Sequence, residues 1–481
     1  MNRMRATRST PCDKPVCTAL LVAALLAAAP AVAAERLDLE TAIRYALQHN
    51  RDLATSALGV QQSRLAVRSA RADFETTVKP TAAADLTAGD LQWQYGIQAQ
   101  QQTRLGSQVT ASGTVNAYPE TSDDNWRTSV KVEIQQPLFR RFGRLANEEQ
   151  LASAGEQLLA ARRLWEKQKA DLVVDLVRAF ETIVRLHQES AADEAAATRT
   201  EKLCLLTQAR EQQGHSTRVD TLRVELQRGE ARARVESCQE DLFSEQRSLA
   251  ELLGMPPDTE FDLVPPAIPE MDLPPQNEAV QIALQNRLDY AQALQDYESK
   301  VRGVEIARRG LYPDVDMVAR YEQYGQDDTF DRSLSLEDNL TYVGFSGNFD
   351  LRRTHERIAL AQSELNVESA RQAATTRALS ITREVQQALS AYRRSRSALR
   401  SATSNLRLAR ARLELARRLY AAGRGDSFAA SDAEDGFTQA ELALLSARSD
   451  ASVTGYDLLR SLGTLLECPA ELKPPTVGPR P

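Results

Sequence analysis

The chain alternates between two kinds of hydrophobic pattern, and it does so twice. Residues 143–213 and 352–422 contain no proline and carry apolar side chains at helical spacing, with charged residues between them. A continuous helix of about 70 residues would be about 100 Å long at 1.5 Å per residue. Glycines interrupt each pattern once, and a second helical segment then follows, over residues 217–253 and 427–466. The pattern therefore predicts two very long helical hairpins.

The apolar stripe along these helices is narrow and has charged residues on both flanks. Leu242 and Leu249 are one heptad apart, as are Leu399 and Leu406. A stripe of this width is typical of coiled-coil packing, whereas burial in lipid or in a thick core needs a wider apolar surface. We therefore expect the hairpins to pack against neighbouring helices.

A different pattern precedes each hairpin. Residues 81–138 and 313–351 alternate between apolar and polar side chains with the two-residue period of strands, most clearly over residues 107–115 and 129–134. Thirteen of the 26 aromatic residues lie in or beside these two regions. Such crowding suits the aromatic girdle of a membrane barrel, although aromatic residues favour β-structure in general.

The two strand regions are too small to close a barrel within one chain. They supply about four principal strands. The first region is longer than the second, and its residues 92–103 and 107–118 allow one additional hairpin. The smallest membrane barrels have around eight strands, and lipid does not tolerate unpaired strand edges. Past the N-terminal segment the chain has no apolar stretch of about 18 residues, so a membrane-embedded chain would have to use strands shared with other copies.

The N-terminal segment, residues 1–34, has the three parts of a secretory signal. Basic residues come first, an apolar stretch covers residues 18–30, and small residues at 31–33 follow as a cleavage site. The apolar stretch is too short to span a bilayer as a helix. We therefore expect the chain to be exported.

The remainder divides into two repeats with proline-rich ends. Residues 37–53 and 277–290 open the repeats with the same order, a short helix, an Asn-Arg break and a longer helix. Twelve of the 19 prolines lie in two short segments, which mark linkers rather than domains. The predicted organisation is a first repeat at 35–253 with its hairpin at 143–253, a connector at 254–276, a second repeat at 277–468 with its hairpin at 352–466, and a tail at 469–481.

Charge and cysteine content exclude some classes of function. The chain carries a formal charge of −7 and the signal +3, which leaves about −10 after cleavage and no basic block, so nucleic acid is not an expected partner. Cys204, Cys238 and Cys468 are too few and too scattered for a disulfide framework or a cysteine-based metal site. We expect them to be small apolar filling residues.

Several short motifs recur in the same order in both halves. They are residues 39–42 followed by 46–50, the strand-to-helix junction Gln-Pro-Leu-Phe-Arg-Arg-Phe-Gly-Arg at 136–144, residues 214–222 with Leu-Leu-Gly at 252–254, and residues 420–423 leading to 458–463. On these motifs the chain resembles the TolC-type outer-membrane efflux proteins over essentially its whole mature length. The second junction, Asn-Phe-Asp-Leu-Arg-Arg at 348–353, departs from the pattern because it lacks the Pro-Leu-Phe and the glycine.

The resemblance implies a mainly α-helical fold with membrane β-structure. It implies a homotrimer in the outer membrane that shares a 12-stranded β-barrel, continuous with an α-helical barrel in the periplasm. Its function would be a passive exit duct that works with a periplasmic adaptor and an inner-membrane pump. No cofactor and no catalytic activity are implied, and the cargo is not indicated.

The resemblance also implies that the hairpin tips contact the adaptor. The tip residues and the capping positions beside them are Gly214, Ser216, Asp220, Gly423, Arg424, Gly425, Asp426 and Ser427. A purely structural interpretation is also open, in which the glycines allow a tight turn and Ser216 and Ser427 cap the returning helices.

Two acidic residues just beyond the second tip are candidates for the pore constriction. Asp432 and Asp435 are three residues apart and share one helix face. In the family, carboxylates at this level form a ring at the periplasmic mouth, although Ala429 occupies one of the usual positions. Ringed carboxylates favour cations and repel one another. The alternative interpretation is a solvated helix face.

Nothing in the sequence points to an enzyme. The four histidines are far apart and none has the spacing of a metal site. Two other classes of exported protein remain open: a periplasmic coiled-coil adaptor, which would have one hairpin flanked by a split β-domain, and a structural coiled-coil protein without a pore.

Overall fold

The computed structural model describes residues 36–474, apart from residues 88–89, 118–125, 260, 267–270, 272, 349, 423 and 425–426. The expected secretory signal at 1–34 lies outside the described residues, as does the end of the chain from residue 475 onwards. Within the described residues the chain is mainly helical and contains one six-stranded sheet.

The first half has two helices, four long strands and a long helical hairpin, in that order. Its elements are β1 (Arg36–Leu37), α1 (Leu39–His49), α2 (Arg51–Ala72), β2 (Thr77–Thr87), β3 (Asp90–Gln102), β4 (Gln108–Ala117), β5 (Trp126–Pro137), α3 (Arg144–Asn147), α4 (Glu149–Gln212) and α5 (Arg218–Leu253). At 1.5 Å per residue, the 64 residues of α4 extend about 96 Å.

The second half repeats this order with two long strands. Its elements are β6 (Asp262–Leu263), α6 (Gln276–Asn286), α7 (Leu288–Arg309), β7 (Asp314–Asp327), α8 (Phe330–Ser333), β8 (Asp338–Asn348), α9 (Thr354–Ala421), α10 (Ser427–Leu462) and a 3₁₀ turn at Ala470–Leu472. β6 pairs with β1 in parallel and so ties the connector to the start of the described chain. The predicted mainly helical fold with two tandem repeats is confirmed.

The sheet has more strands than the sequence pattern predicts. Its order is β2-β3-β4-β5-β7-β8, and every neighbouring pair is antiparallel. β3 and β4 are the additional hairpin, so one chain supplies six strands instead of about four. β2 begins before the predicted strand region, and Pro80 lies inside it, which weakens the strand pattern in the sequence. Within the single chain β2 is an edge strand, a position where proline is tolerated.

In the first half, the base of the hairpin is fixed on the break between α1 and α2. α5 ends at Gly254, whose φ is +74°, and a Cβ there would lie 2.4 Å from the carbonyl oxygen of His49. The side-chain amide of Asn50 donates to the carbonyl oxygen of Leu252 at 2.9 Å. Only glycine satisfies both the positive φ and the close approach.

The second half has the same arrangement at its own hairpin base. α10 is followed by Gly463, whose φ is +72°, and a Cβ there would lie 3.1 Å from the backbone and side chain of Asn286. Lys473 also donates to the side-chain oxygen of Asn286, at 2.8 Å. Residues 252–254 and 458–463, which contributed to the family resemblance, therefore fix each returning helix on the helix pair that opens the same repeat.

Two hydrophobic clusters lie where the helix pairs meet the hairpins. Phe180 of α4 and Leu253 of α5 are fully buried in the first cluster, and Ile381 of α9 and Leu458 of α10 in the second. Among the described helices, none combines the length and the hydrophobicity that a bilayer-spanning segment requires.

Candidate functional site

The six-stranded sheet has one apolar face. Residues paired across neighbouring strands point to the same side, so each cross-strand row belongs to one face. One such row runs through Val78, Ala99, Ala111, Val132, Tyr321 and Thr341. Ten large apolar side chains on this face are at least 41% exposed in the single chain: Val78, Trp93, Tyr95, Ile97, Val130, Val132, Ile134, Tyr321, Val343 and Phe345.

The opposite face of the sheet is mainly polar, with Leu340 and Tyr342 of β8 as exposed exceptions. The adjacent row runs through Lys79, Gln98, Ser112, Lys131, Glu322 and Leu340. Its charged side chains pair with one another, because Arg320 donates to Glu133 at 2.7 Å and Arg127 lies 3.4 Å from Glu322. A sheet with one apolar and one polar face suits a wall between lipid and water.

The first hairpin tip is a tight turn followed by a capping box. Gly214 has a φ of +70° and is exposed, with no atom near the position of a Cβ. The cap of α5 is Thr217, so the expectation that Ser216 caps this helix is wrong. Thr217 has the extended backbone that a cap needs; its hydroxyl accepts from the backbone N–H of Asp220, whose carboxylate accepts from the N–H of Thr217.

The second tip is described only in part. Gly423, Gly425, Asp426 and the side chain of Ser427 lie outside the described part of the chain, and α10 begins at Ser427. Arg424 is exposed, and its backbone N–H donates to the carbonyl oxygen of Leu419 at 3.0 Å.

Close to the second tip, Tyr420 of α9 joins the two hairpins. Its ring is buried; its hydroxyl lies 3.2 Å from the hydroxyl of Thr207, and its carbonyl oxygen accepts from Arg210 at 2.6 Å. Both partners belong to α4, so the far ends of the two hairpins are held together. No pattern in the sequence predicts this contact, because Tyr420 contributes only to the family resemblance.

Asp432 and Asp435 have different partners although they share a helix face. Asp432 forms an ion pair with Arg412 of α9, within the second hairpin, and its side chain is about half exposed. Asp435 accepts a hydrogen bond at 2.6 Å from the side chain of Gln227, which belongs to α5 of the first hairpin. Burial, with the neighbouring charges of Glu230 and Asp432, raises the pKa of Asp435 above its usual value.

A third carboxylate between them, that of Glu434, was not predicted. It is buried and meets one arginine from each hairpin: Arg199 of α4 donates to one oxygen at 3.0 Å, and Arg417 of α9 donates to the other at 2.6 Å. The signal available in the sequence was weak, since three carboxylates within four residues look equivalent. Only the packing of α10 against α4 makes one of them buried.

The start of α10 is therefore attached to the other three long helices by polar contacts. We call these residues the tip network: Arg199, Gln227, Arg412, Arg417, Asp432, Glu434 and Asp435. Charge-assisted contacts of this kind can form and break without disrupting an apolar core, so the network can hold the second hairpin in one position and release it. No group of three His, Cys, Asp or Glu side chains within the described residues is arranged to hold a metal ion.

Comparison with known proteins gives one family-model match, to part of the chain, and a set of solved structures with the same fold. Residues 279–464 match the family model described as outer membrane efflux protein. A search of curated proteins finds no match.

Solved structures of outer-membrane channels share the fold. The outer-membrane channel OprN is 19% identical with a TM-score of 0.70, over 88% of this chain and 89% of that chain. The outer membrane protein VceC from Vibrio cholerae is 17% identical with a TM-score of 0.68, over 88% and 96%. The open-state MtrE channel of Neisseria gonorrhoeae is 17% identical with a TM-score of 0.66, over 89% of both chains. The second repeat thus matches the outer membrane efflux protein family model, and the chain as a whole shares the fold of solved outer-membrane channels.

Proposed function

We propose that this chain is the outer-membrane channel subunit of a tripartite efflux or type I secretion system. Three copies form a passive exit duct, with the sheet in the outer membrane and the hairpins in the periplasm. The observation that carries the proposal is the join between a sheet with one apolar and one polar face and helices 64 and 68 residues long. The sheet provides a wall in lipid, and the helices provide a tunnel beyond it.

The surface of the hairpins supports assembly into a trimer. Large apolar side chains remain exposed at intervals along the rods of the single chain: Leu205, Leu222, Leu226, Leu365, Leu379, Leu408 and Leu415. A protein that stayed monomeric would expose these residues to water over its whole length, whereas neighbouring hairpins in a trimer bury them.

Membrane fractionation and bilayer recording test the proposal together. The exported protein should be recovered from outer membranes with detergent, migrate as a heat-sensitive trimer and conduct ions in a planar bilayer. The proposal fails if the protein is a stable monomer in buffer without detergent. Two proteins without a pore, a periplasmic adaptor and a structural coiled coil, predict no conductance.

We further propose that the hairpin tips contact a periplasmic adaptor, which in turn contacts an inner-membrane pump. The exposure of Gly214 and Arg424 supports this placement. A photo-cross-linking group at position 424 should form an adduct with an adaptor, and the same group at position 241, about two-thirds of the way along α5 from the tip, should not. Adducts of equal yield at both positions would show that the hairpin tips are not the surface that contacts the adaptor.

Asp432 and Asp435 are proposed to line the constriction of the duct. Replacing both residues by alanine removes negative charge and also breaks the contacts with Arg412 and Gln227. The double variant should therefore show a larger single-channel conductance or a weaker block by divalent cations. Asp450→Ala, an exposed acidic residue farther along α10, is the matched control. Unchanged conductance and unchanged block in the double variant would exclude both aspartates from the constriction.

A further inference from the structure

The additional hairpin, β3 with β4, extends over the full height of the sheet. A tilted strand needs about 9–11 residues to cross the apolar part of a membrane. β3 has 13 residues and β4 has 10, compared with 12 in β5. The hairpin is also fully paired on both sides, with β2 and with β5. It is therefore an integral part of the sheet and not a flap at its margin.

The turn of this hairpin is fixed at the junction between sheet and helices. The carbonyl oxygen of Leu105 accepts from the backbone N–H of Gly143 at 3.0 Å, and Arg104 lies 3.5 Å from Glu148. Gly106 has a φ of +97°, and a Cβ there would lie 2.8 Å from the carbonyl oxygen of Arg141. The hairpin thus begins and ends at the same two levels as the other strands.

Both faces of the sheet continue across the hairpin without interruption. Trp93, Tyr95 and Ile97 lie on the apolar face and are exposed. Over residues 92–116 its polar face carries uncharged side chains: Gln94, Gln98, Gln100, Gln102, Gln108, Thr110, Ser112, Thr114 and Asn116. A hairpin designed to lie in water would not present such an aromatic and aliphatic face next to that of β5.

The two edges of the sheet match one another. β2 and β8 each have 11 residues, and neither has a second neighbouring strand within the described chain. The apolar face reaches both edges, through Val78 on β2 and through Val343 and Phe345 on β8. Lipid does not tolerate an unpaired edge, and an even number of antiparallel strands gives the two edges opposite directions. A second copy of this chain therefore offers the complementary edge.

We infer that β2 of one copy pairs with β8 of the next and that three copies close a barrel of eighteen strands. The inference rests on the proposed trimer and replaces the expected count of twelve, which needs four strands per chain. Barrel diameter grows roughly linearly with strand number, so eighteen strands give a barrel about 1.5-fold wider than twelve. The added third of the wall is lined by neutral polar side chains, while the paired charges lie on β5 and β7.

Cysteine labelling tests whether the hairpin is part of the barrel. Single cysteines would replace Gln98 or Ser112 on the polar face and Ala99 or Ala111 on the apolar face, after Cys204, Cys238 and Cys468 are replaced by alanine. In proteoliposomes a membrane-impermeant maleimide should label the polar-face positions at least tenfold faster. Val318→Cys and Ala319→Cys, the matched polar-face and apolar-face pair on β7, calibrate the contrast. Equal labelling of both faces of the hairpin would overturn the inference.

A deletion tests the strand number directly. Removing residues 90–117 leaves β2 beside β5 with the directions and faces of both strands unchanged, so the product should be a twelve-stranded trimer. Electron cryo-microscopy in nanodiscs should show eighteen strands in the full chain and twelve in the deletion variant, with diameters differing about 1.5-fold. Twelve strands in a conducting full-length trimer would overturn the inference and leave the proposed function intact. If the full chain forms neither a trimer nor a channel, the proposed function itself is contradicted.

Discussion

At the scale of single residues, three carboxylates on α10 show how packing separates groups that look equivalent in the sequence. Asp432 is half exposed beside one arginine, Glu434 is buried between two arginines, and Asp435 faces an amide. The exposed pair contributes little because water screens it. Removing the charge of the buried group leaves two arginines without their acceptor, which costs more.

Glu434→Gln is therefore expected to weaken the attachment of α10 to both α4 and α9. The substitution keeps the shape of the side chain and removes its charge. It should destabilise the observed position of the second hairpin by about 1–3 kcal/mol. Planar-bilayer recording should show more frequent or longer openings. Asp432→Asn is the control and should change the open time far less. An equal effect of the two substitutions would contradict the ranking by burial.

Gly254→Ala is expected to destabilise the first hairpin at its base. The new Cβ would lie 2.4 Å from the carbonyl oxygen of His49, in a backbone conformation with a φ of +74°. The backbone conformation alone costs about 1–2 kcal/mol, and the collision adds to it. Gly229→Ala, inside α5 with open space around its Cβ, should be neutral or stabilising by up to about 1 kcal/mol. Thermal unfolding in detergent compares the two variants.

The sequence identified part of the residue-scale site. The tip turn at Gly214 could be predicted because this glycine lies between two long helical patterns, unlike Gly155 and Gly229, which lie inside α4 and α5. Ser216 was a plausible cap, but Thr217 takes that role because its backbone is extended and Asp220 lies three residues further along. Glu434 could not be identified, since the register of α10 against α4 depends on contacts between residues more than 200 positions apart.

At the scale of elements, an ion cluster attaches α7 to α9. Arg287 contacts Asp289 at 2.6 Å and Glu384 at 2.5 Å, and Arg377 also contacts Asp289. Burial of the two carboxyls would raise their pKa values, but hydrogen bonds and charge from Arg287 outweigh it. Arg377 adds to this effect. The pKa values of Asp289 and Glu384 are therefore lower than usual.

This cluster is expected to weaken in acid. Because the folded-state pKa values lie below the ordinary values of 3.8 and 4.5, the cluster stabilises the fold above that range. The stabilisation is lost as the pH falls from that range through the lowered pKa values. Urea unfolding of the detergent-solubilised protein between pH 7 and pH 3 should show the decline. Asp289→Asn should have a smaller decline than the unsubstituted chain.

The unsubstituted chain must be compared with the Asp289→Asn variant, because other carboxyls change the stability of the fold with pH in the opposite direction. Burial raises the pKa values of Glu181 and Asp193, as it does that of Asp435, so acidification stabilises the fold through these groups. Their contribution is common to both proteins and cancels in the difference. If the difference in unfolding free energy between the unsubstituted chain and Asp289→Asn does not change with pH, the acid-dependent loss of stability does not come from Asp289.

The elements differ in how far the sequence predicts them. The hairpins could be predicted because about 70 residues without proline at helical spacing have few other folds. The strand number could not, since β2 contains Pro80 and small alanines that give little alternation. Its neighbour β3 alternates aromatic residues with glutamine. This alternation is visible in residues 92–118, but it does not determine whether the hairpin joins the sheet.

At the scale of the whole molecule, the two faces of the sheet determine where charge can be added. Ala319 and Val318 are adjacent on β7 and lie on the apolar and the polar face, respectively. Ala319→Lys should cost about 2–4 kcal/mol in the membrane, as a cation on the lipid face of a barrel does near the midplane. Val318→Lys places the same charge in the water-filled interior and should cost far less.

The amount of heat-sensitive trimer recovered from outer membranes measures this difference. Ala319→Lys should lower that amount strongly at equal expression, and Val318→Lys should leave it nearly unchanged. If both variants assemble equally well, the apolar face does not contact lipid.

The need for several copies could be recognised from the sequence because too few strands precede each hairpin. The number of strands in the closed barrel depends on the pairing of β3 and β4, which only the structure describes.

The glycines at the two hairpin bases have a mechanical consequence. Gly254 and Gly463 seat each returning helix on a helix break, so close backbone packing fixes each rod at its base, whereas polar contacts hold its far end. The 36 residues of α5 extend about 54 Å, so once the tip contacts break, a tilt of about 5° at the base displaces the far end by about 5 Å. A small change of angle at the base therefore becomes a displacement of several ångströms at the tip. The hairpins can therefore move at their far ends while the clamped bases and the adjoining sheet stay in place.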